Sequence, residues 1–178
     1  MKPKTFESYP AWMILVYYLF SFSVYLAGMY LTFLVWPLFS LAFFVYIFYL
    51  EIKVLREGCV RCYYYGKRCV CGKGKVAKMF FKKDEKRKFY EREIKMKDMI
   101  PSFLPMLITL VAGIYLVILG LPSINFLVIG IAVWPLIVTF LGNPIVYGKI
   151  ACPHCKQREL GCPACDFFMK MEKKGKKK

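Results

Sequence analysis

The eight cysteines are the residues of this chain whose type and spacing could do chemistry. They fall into two sets that share the pattern Cys-x2-Cys-x6-Cys, and each set then gains a fourth cysteine. The first set is Cys59, Cys62, Cys69 and Cys71, and the second set is Cys152, Cys155, Cys162 and Cys165. Because the thiolate is a soft metal ligand and a nucleophile, this spacing is typical of metal binding or of thiol redox chemistry.

Structural zinc is the first of three interpretations of these cysteines. Four thiolates around a tetrahedral zinc ion, at about 2.3 Å, make a closed site. The second set is similar to the two knuckles of a zinc ribbon, in the tetrapeptides Cys-Pro-His-Cys (152–155) and Cys-Pro-Ala-Cys (162–165). That resemblance implies that the metal would stabilise the local fold. The sequence thus predicts two zinc ions, one in each set, with the single histidine, His154, outside the ligand group. The spacing also allows sites that combine cysteines from both sets.

Two other interpretations stay open. Four thiolates can also hold a [4Fe–4S] cluster, and two such clusters would make the chain an iron–sulfur electron-transfer subunit of a larger membrane complex. The Cys-x2-Cys-x2-Cys run of bacterial ferredoxins is absent from the sequence. The third interpretation is a thiol-redox membrane protein. Redox Cys-x2-Cys pairs normally begin a helix of a thioredoxin-like unit, and this chain has no room for such a unit.

A long uncharged block precedes each set of cysteines. The chain has 178 residues, of which 58% are hydrophobic, yet its formal net charge is +16. No Asp, Glu, Lys, Arg or His occurs from Pro10 to Leu50 or from Met99 to Gly148. Each block is about twice as long as the ~20 apolar residues that cross a bilayer as a helix. The sequence therefore predicts an all-α integral membrane protein with four transmembrane helices arranged as two hairpins.

The predicted organisation is one unit used twice, a hairpin followed by a small four-cysteine metal-binding segment. Val-Trp-Pro-Leu occurs at 35–38 and again at 133–136, ahead of each set, which indicates an internal duplication. The first hairpin is expected at 1–54, and a basic segment with the first set at 55–98. The second hairpin is expected at 99–148, turning near Gly120, Pro122 and Ser123, and a tail with the second set and a polybasic end at 149–178.

The charges predict how the chain lies in the membrane. All Lys and Arg residues lie outside the two uncharged blocks, and Lys and Arg near the ends of spans are retained in the cytoplasm. Two hairpins put the N-terminus, the middle segment and the tail on one side. The expected location is therefore the cell membrane, multi-pass, with both termini and all cysteines cytoplasmic. In the middle segment, Val76, Met79, Phe80 and Phe81 fit one side of a short interfacial helix.

The function follows from the cysteines and the basic segments. No Asp, Glu, Lys, Arg or His lies inside the two uncharged blocks, whereas pumps and proton-coupled transporters usually have such a side chain in a span. No phosphate-binding glycine loop is present either, so an enzyme is not indicated. The predicted function is a membrane scaffold or adaptor in which two zinc sites order basic segments for partner docking. The expected partners are membrane lipids, including anionic headgroups, and a protein or larger membrane complex, with nucleic acid or a ribosome as the alternative.

Overall fold

The structure is a computed structural model of the chain, and it describes residues 5–84, 96–119, 125–162 and 164–165. Within these ranges the elements are helices joined by turns, with no strand among them. The helices are α1 (Ala11–Val35), α2 (Pro37–Glu57), α3 (Lys73–Phe80), α4 (Met96–Ile118), α5 (Asn125–Ile137) and α6 (Lys156–Glu159). The predicted turn near Gly120, Pro122 and Ser123 and the polybasic end beyond Cys165 lie outside the described residues.

Four helical stretches are long and apolar enough to cross a membrane. They are Ala11–Val35, Pro37–Arg61, Ile100–Ile118 and Phe126–His154. The prediction of an all-helical chain with four such helices is thereby confirmed for the described residues. A helix suits this task because it satisfies its backbone polar groups internally, and hydrocarbon offers them no other partner.

A single residue separates α1 from α2. Trp36 is not helical, and Pro37 begins α2. Proline is favoured in the first turn, where no hydrogen bond is required of its nitrogen, and its ring disfavours helical backbone in the residue before it. The Ser40 hydroxyl donates to the Met29 carbonyl at 3.1 Å. The beginning of α2 therefore contacts the last part of α1.

The fourth apolar stretch changes its pitch along its length. Pro135 lies inside α5 and has no N–H to donate to the helical ladder. π-helical turns follow at Val138–Gly142 and Pro144–Ala151, and a 3₁₀ turn at Cys152–His154. The chain stays helical throughout, so this stretch runs without a break into the second set of cysteines.

The chain divides into two compact units that alternate along the sequence. The cysteine unit comprises the described parts of Met1–Tyr18, Ile52–Ile94 and Gly142–Lys178. The span unit comprises the described parts of Leu19–Glu51 and Lys95–Leu141. Both sets of cysteines belong to the cysteine unit, although the second uncharged block lies between them in the sequence.

Small residues bring α4 and α5 together in the span unit. A Cβ atom added to Gly113 of α4 would lie 2.3 Å from the Cβ atom of Ala132 in α5. Helices in lipid associate through close packing at small side chains, because the hydrophobic effect gives them no reason to leave the acyl chains. The buried residues around this contact are Leu31, Ala112, Leu116, Val128 and Ala132.

Two prolines in α4 change the hydrogen bonding of its first turns. Pro105 has no N–H to donate to the Pro101 carbonyl, four residues earlier. The Tyr46 hydroxyl of α2 donates to that carbonyl instead, at 3.0 Å. An unsatisfied carbonyl is costly in hydrocarbon, so Tyr46 stabilises the proline-containing part of α4.

Candidate metal centre

Both sets of cysteines begin with the same turn. Cys59–Arg61 and Cys152–His154 are 3₁₀ turns. The Cys62 N–H donates to the Cys59 carbonyl at 3.3 Å, and the Cys155 N–H donates to the Cys152 carbonyl at 3.2 Å. Each bond brings the two cysteines of a Cys-x2-Cys pair close together. The repeated spacing in the sequence thus has a repeated backbone conformation.

The second set converges on one thiol. Cys152, Cys162 and Cys165 are buried together, and Cys155 packs against them. Hydrogen bonds with the sulfur atoms of Cys152, Cys155 and Cys162 raise the pKa of Cys165 well above its ordinary value. The hydrogen bond from Cys165 in turn lowers the pKa of Cys155 to about 6. Cys165 is therefore a neighbour of the other three predicted ligands of this set.

The first set is more open to solvent. Its four cysteines are only partly buried. Burial of the thiol raises the pKa of Cys62 to about 12 and the pKa of Cys71 to about 12, with contributions from Cys59 and Cys69 in both cases. The Cys69 sulfur accepts a hydrogen bond from the Gly74 N–H at 3.3 Å. The structure brings these four residues into one loop without a shared central thiol.

Helix α3 packs directly on the loop that carries the first set. A Cβ atom added to Gly74 would lie 2.1 Å from the Tyr64 carbonyl oxygen, so the helix and the loop backbone approach as closely as glycine allows. The Gly66 N–H donates to the Gly74 carbonyl at 2.8 Å. Beyond the other end of α3, Asp84 pairs with Arg61 at 2.8 Å. A short helix is present in this segment, as predicted, but it ends at Phe80, and Phe81, which the apolar spacing predicts on the helix, is in extended backbone. Contacts at both ends fix the helix to the first set.

The N-terminal segment, residues 5–10, connects the two sets. The Phe6 N–H donates to the His154 carbonyl at 2.9 Å, and the Tyr9 N–H donates to the Arg68 carbonyl at 2.9 Å. The Tyr9 hydroxyl donates to the Ala151 carbonyl at 2.8 Å. One short segment therefore binds the backbone beside both sets. The His154 ring stacks on the Phe6 ring with 4.8 Å between their centroids.

Two tyrosines of the first set's loop reach the second set. The buried Tyr64 hydroxyl donates to the Phe6 carbonyl at 2.7 Å and accepts from the Lys156 N–H at 3.0 Å. The Tyr63 N–H donates to the side-chain oxygen of Gln157 at 2.6 Å, and Gln157 is buried. The sets therefore share one polar interface. Sequence analysis missed it, and the tyrosine triplet at 63–65 was the one visible hint.

Glu7 adds charge to this interface. Its carboxylate accepts hydrogen bonds from the side chains of Lys156 and Tyr63, and from the Lys67 ammonium at 3.3 Å. The bond from Lys156, followed by that from Tyr63, lowers the pKa of Glu7 to about 2. Glu7 thus contacts Lys67, which lies beside the first set, and Lys156, which lies beside the second.

The cysteine thiols have the right chemistry to bind a metal ion, but their arrangement among the described residues does not form a metal site. Four converging thiols are the donor set that zinc or a [4Fe–4S] cluster requires. Across residues 5–84, 96–119, 125–162 and 164–165, however, no group of three or more Cys, His, Asp or Glu side chains is arranged so that it could hold a metal ion. The two zinc ions therefore stay a prediction, based on the donor atoms and on their convergence at Cys165.

No protein-family model matches the chain, and neither a curated protein nor a solved structure matches it. The residues and contacts described above are thus the basis for its function.

Proposed function

We propose that the chain is a multi-pass membrane scaffold whose two four-cysteine sites each bind a zinc ion and together order a basic surface for an acidic partner. The observation that carries this proposal is that Cys152, Cys162 and Cys165 are buried together, with Cys155 packed against them. Four thiols that meet at one place are a ligand group for a thiophilic ion. No enzymatic step is needed to explain such a site.

A metal is expected because the cysteine unit has little else to bury. Among the residues that the structure describes, its main core has five fully buried members, with partly buried side chains packed around them; the five are Tyr9, Met13, Tyr64, Val70 and Ala151. Small folds with so little apolar burial are usually completed by a metal or by disulfides. Binding of structural zinc supplies roughly 10–16 kcal/mol of folding free energy in small zinc peptides. Zinc would therefore be the main stabiliser of the cysteine unit.

The membrane arrangement is proposed to be two hairpins from an internal duplication. The contact between Ser40 and Met29 supports an antiparallel pair formed by α1 and α2. The close approach of Gly113 and Ala132 supports a second pair formed by α4 and α5. Each pair precedes a cysteine set with the same 3₁₀ turn. Two hairpins would put both termini on one side, and the distribution of Lys and Arg favours the cytoplasm.

The partner is proposed to be an acidic protein or a larger membrane complex. The chain has a formal net charge of +16, and its lysines and arginines all lie outside the apolar blocks. Such a surface attracts anionic groups and speeds association with them. The metal sites would fix the conformation of this surface before the partner binds, so binding would cost less conformational entropy.

Electron transfer is the second candidate function, and one observation favours it. Cys62 of the first set and Cys155 of the second interact electrostatically and pack around the same core. Two [4Fe–4S] clusters at these sites would therefore be neighbours. The third candidate, thiol redox chemistry, is favoured by Cys155, because the hydrogen bond from Cys165 lowers the pKa of Cys155 and so favours the reactive thiolate.

The deciding experiment measures metal content and the visible absorption of the chain purified without oxygen. The scaffold proposal expects two zinc ions per chain and no colour. Iron and inorganic sulfide with broad visible absorption would replace it with the electron-transfer proposal. A metal-free, colourless chain that is folded would contradict both, and oxidant-dependent labelling of Cys155 by a maleimide would then test the thiol proposal.

A further inference from the structure

Helix α3 exposes an apolar pair among lysines. Met79 is 78% exposed and Phe80 is 72% exposed. The exposed lysines on and directly after the helix are Lys75, Lys78, Lys82 and Lys83. The opposite side of the helix packs inside the protein, where Gly74 and Ala77 are buried and Gly74 contacts the loop of the first set. An apolar pair beside lysines is typical of a helix that lies in a membrane surface.

Contacts with α1 fix the level at which α3 begins. A Cβ atom added to Gly72, the residue before α3, would lie 2.8 Å from the Tyr18 hydroxyl oxygen. The Lys73 ammonium lies 5.9 Å from the centroid of the Tyr17 ring. The first turn of α3 therefore lies beside the second turn of α1.

The length of α1 indicates the depth of Tyr17 and Tyr18 relative to the bilayer. α1 has 25 residues, which makes it about 37 Å long. The hydrocarbon core of a bilayer is about 30 Å thick, so roughly 7 Å of a helix of this length extends beyond it. Tyr17 and Tyr18 are about 10 Å from the start of α1 at 1.5 Å per residue. They would thus lie where hydrocarbon meets headgroups, which is where tyrosine is enriched.

We propose that Met79 and Phe80 insert into the lipid surface at this level and that the neighbouring lysines bind anionic headgroups. The inference rests on the proposed membrane location of α1. Because α3 is fixed to the loop of the first set by Gly74 and by the Arg61–Asp84 pair, its insertion would hold that set against the bilayer. The second set needs no such anchor, because the fourth apolar stretch leads into it directly.

The test places a tryptophan at the proposed point of insertion. The native tryptophans are replaced (W12F, W36F, W134F), Phe80→Trp is added, and the full chain is reconstituted in phosphatidylcholine vesicles with and without phosphatidylglycerol. The expected result is a blue-shifted emission that is mostly lost with lipids brominated near the headgroup end of the acyl chain. The quenching should be stronger when phosphatidylglycerol is present, because the lysines attract its charge.

Glu159→Trp in the same background is the matched control, since Glu159 is an exposed residue of α6 in the same unit. Its emission should stay red-shifted and largely unquenched. Phe80→Trp emission that resembles this control, or equal quenching at both positions, overturns the proposal. A blue-shifted but unquenched Phe80→Trp overturns it too, and indicates a protein on α3. A W12F, W36F chain keeps Trp134 within an apolar stretch as its single tryptophan, so quenching there tests membrane insertion separately.

Discussion

The span unit and the cysteine unit are stabilised by different interactions. In the span unit, α4 and α5 meet at Gly113 with no room for another carbon atom. In the cysteine unit, tyrosine hydroxyls such as those of Tyr9 and Tyr64 bind backbone carbonyls from distant parts of the chain. Lipid gives helices no hydrophobic reason to associate, so the span unit depends on close packing. The cysteine unit buries little apolar surface, so it depends on polar contacts and on the proposed metal.

Removing one cysteine should have the largest effect and should be confined to the cysteine unit. We expect Cys152→Ser to lose one of the two zinc ions, because a structural site needs all four ligands. The tail that follows would then unfold, since binding of structural zinc is worth roughly 10–16 kcal/mol. Metal analysis and limited proteolysis of the tail measure the two effects, and far-UV circular dichroism shows whether the spanning helices persist.

Cys59→Ser is the matched variant for the first set. It should lose the other zinc ion while the tail keeps its protection from protease. Unchanged proteolysis in Cys152→Ser would contradict a stabilising role for the metal. Loss of both ions in either variant would show that the two sets are not independent metal sites.

Adding one carbon atom should damage the span unit instead. Gly113→Ala puts a Cβ atom 2.3 Å from that of Ala132, so α4 and α5 must separate. Overpacking of this kind costs about 3 kcal/mol. Gly130→Ala is the control, because nothing lies within 4 Å of its added Cβ atom. Unfolding in mixed micelles with increasing SDS should occur earlier for Gly113→Ala, with zinc content unchanged, and equal midpoints for both variants would contradict the packing argument.

The spanning helices could be predicted because their signal is local. Two uncharged blocks predict four spans, and the described residues contain four helical stretches long and apolar enough to be those spans. The short helix near Met79 follows from the spacing of apolar residues within one segment. Each of these signals is read from neighbouring residues, so no knowledge of the rest of the chain is needed.

The interface between the cysteine sets could not be predicted, because its partners are far apart in the sequence. Tyr9 binds the carbonyl of a residue 142 positions away, and Tyr64 binds the N–H of a residue 92 positions away. Neither tyrosine belongs to a motif, and Glu7 is an ordinary acidic residue near a terminus. The spacing of the cysteines predicts one site in each set, and it does not indicate which thiol of the second set the other three surround.

Tyr64→Phe should weaken the interface between the sets without touching a cysteine. It leaves the Phe6 carbonyl and the Lys156 N–H without the hydroxyl that satisfies both. A buried polar group left unsatisfied costs about 2 kcal/mol. We expect faster hydrogen exchange in the N-terminal segment and in α6. Tyr65→Phe is the control, because its hydroxyl donates to Phe81 near its own set, and faster exchange of α6 in that variant would contradict the assignment.

Glu7→Gln should have the smallest effect and should depend on pH. Hydrogen bonds from Lys156 and Tyr63 lower the pKa of Glu7 from 4.5 to about 2. A lowered pKa in the folded state means that the carboxylate stabilises the fold above about pH 4.5 and that this contribution is lost as the pH falls towards 2. Because Glu7 is exposed, salt should screen the effect.

Comparing the parent chain with Glu7→Gln isolates the contribution of the Glu7 carboxylate, because protonation of the cysteines and loss of metal at acid pH affect both chains alike. Proteolysis of the N-terminal segment should be faster in Glu7→Gln at neutral pH, and the difference should stay constant down to about pH 4.5 and then close. A difference that widened on acidification would mean that Glu7 is protonated in the folded unit and pairs with neither lysine. The two cysteine sets would then be held together by tyrosine hydrogen bonds and not by an ion pair. The cysteine unit would still differ from the span unit, but only through uncharged hydrogen bonds.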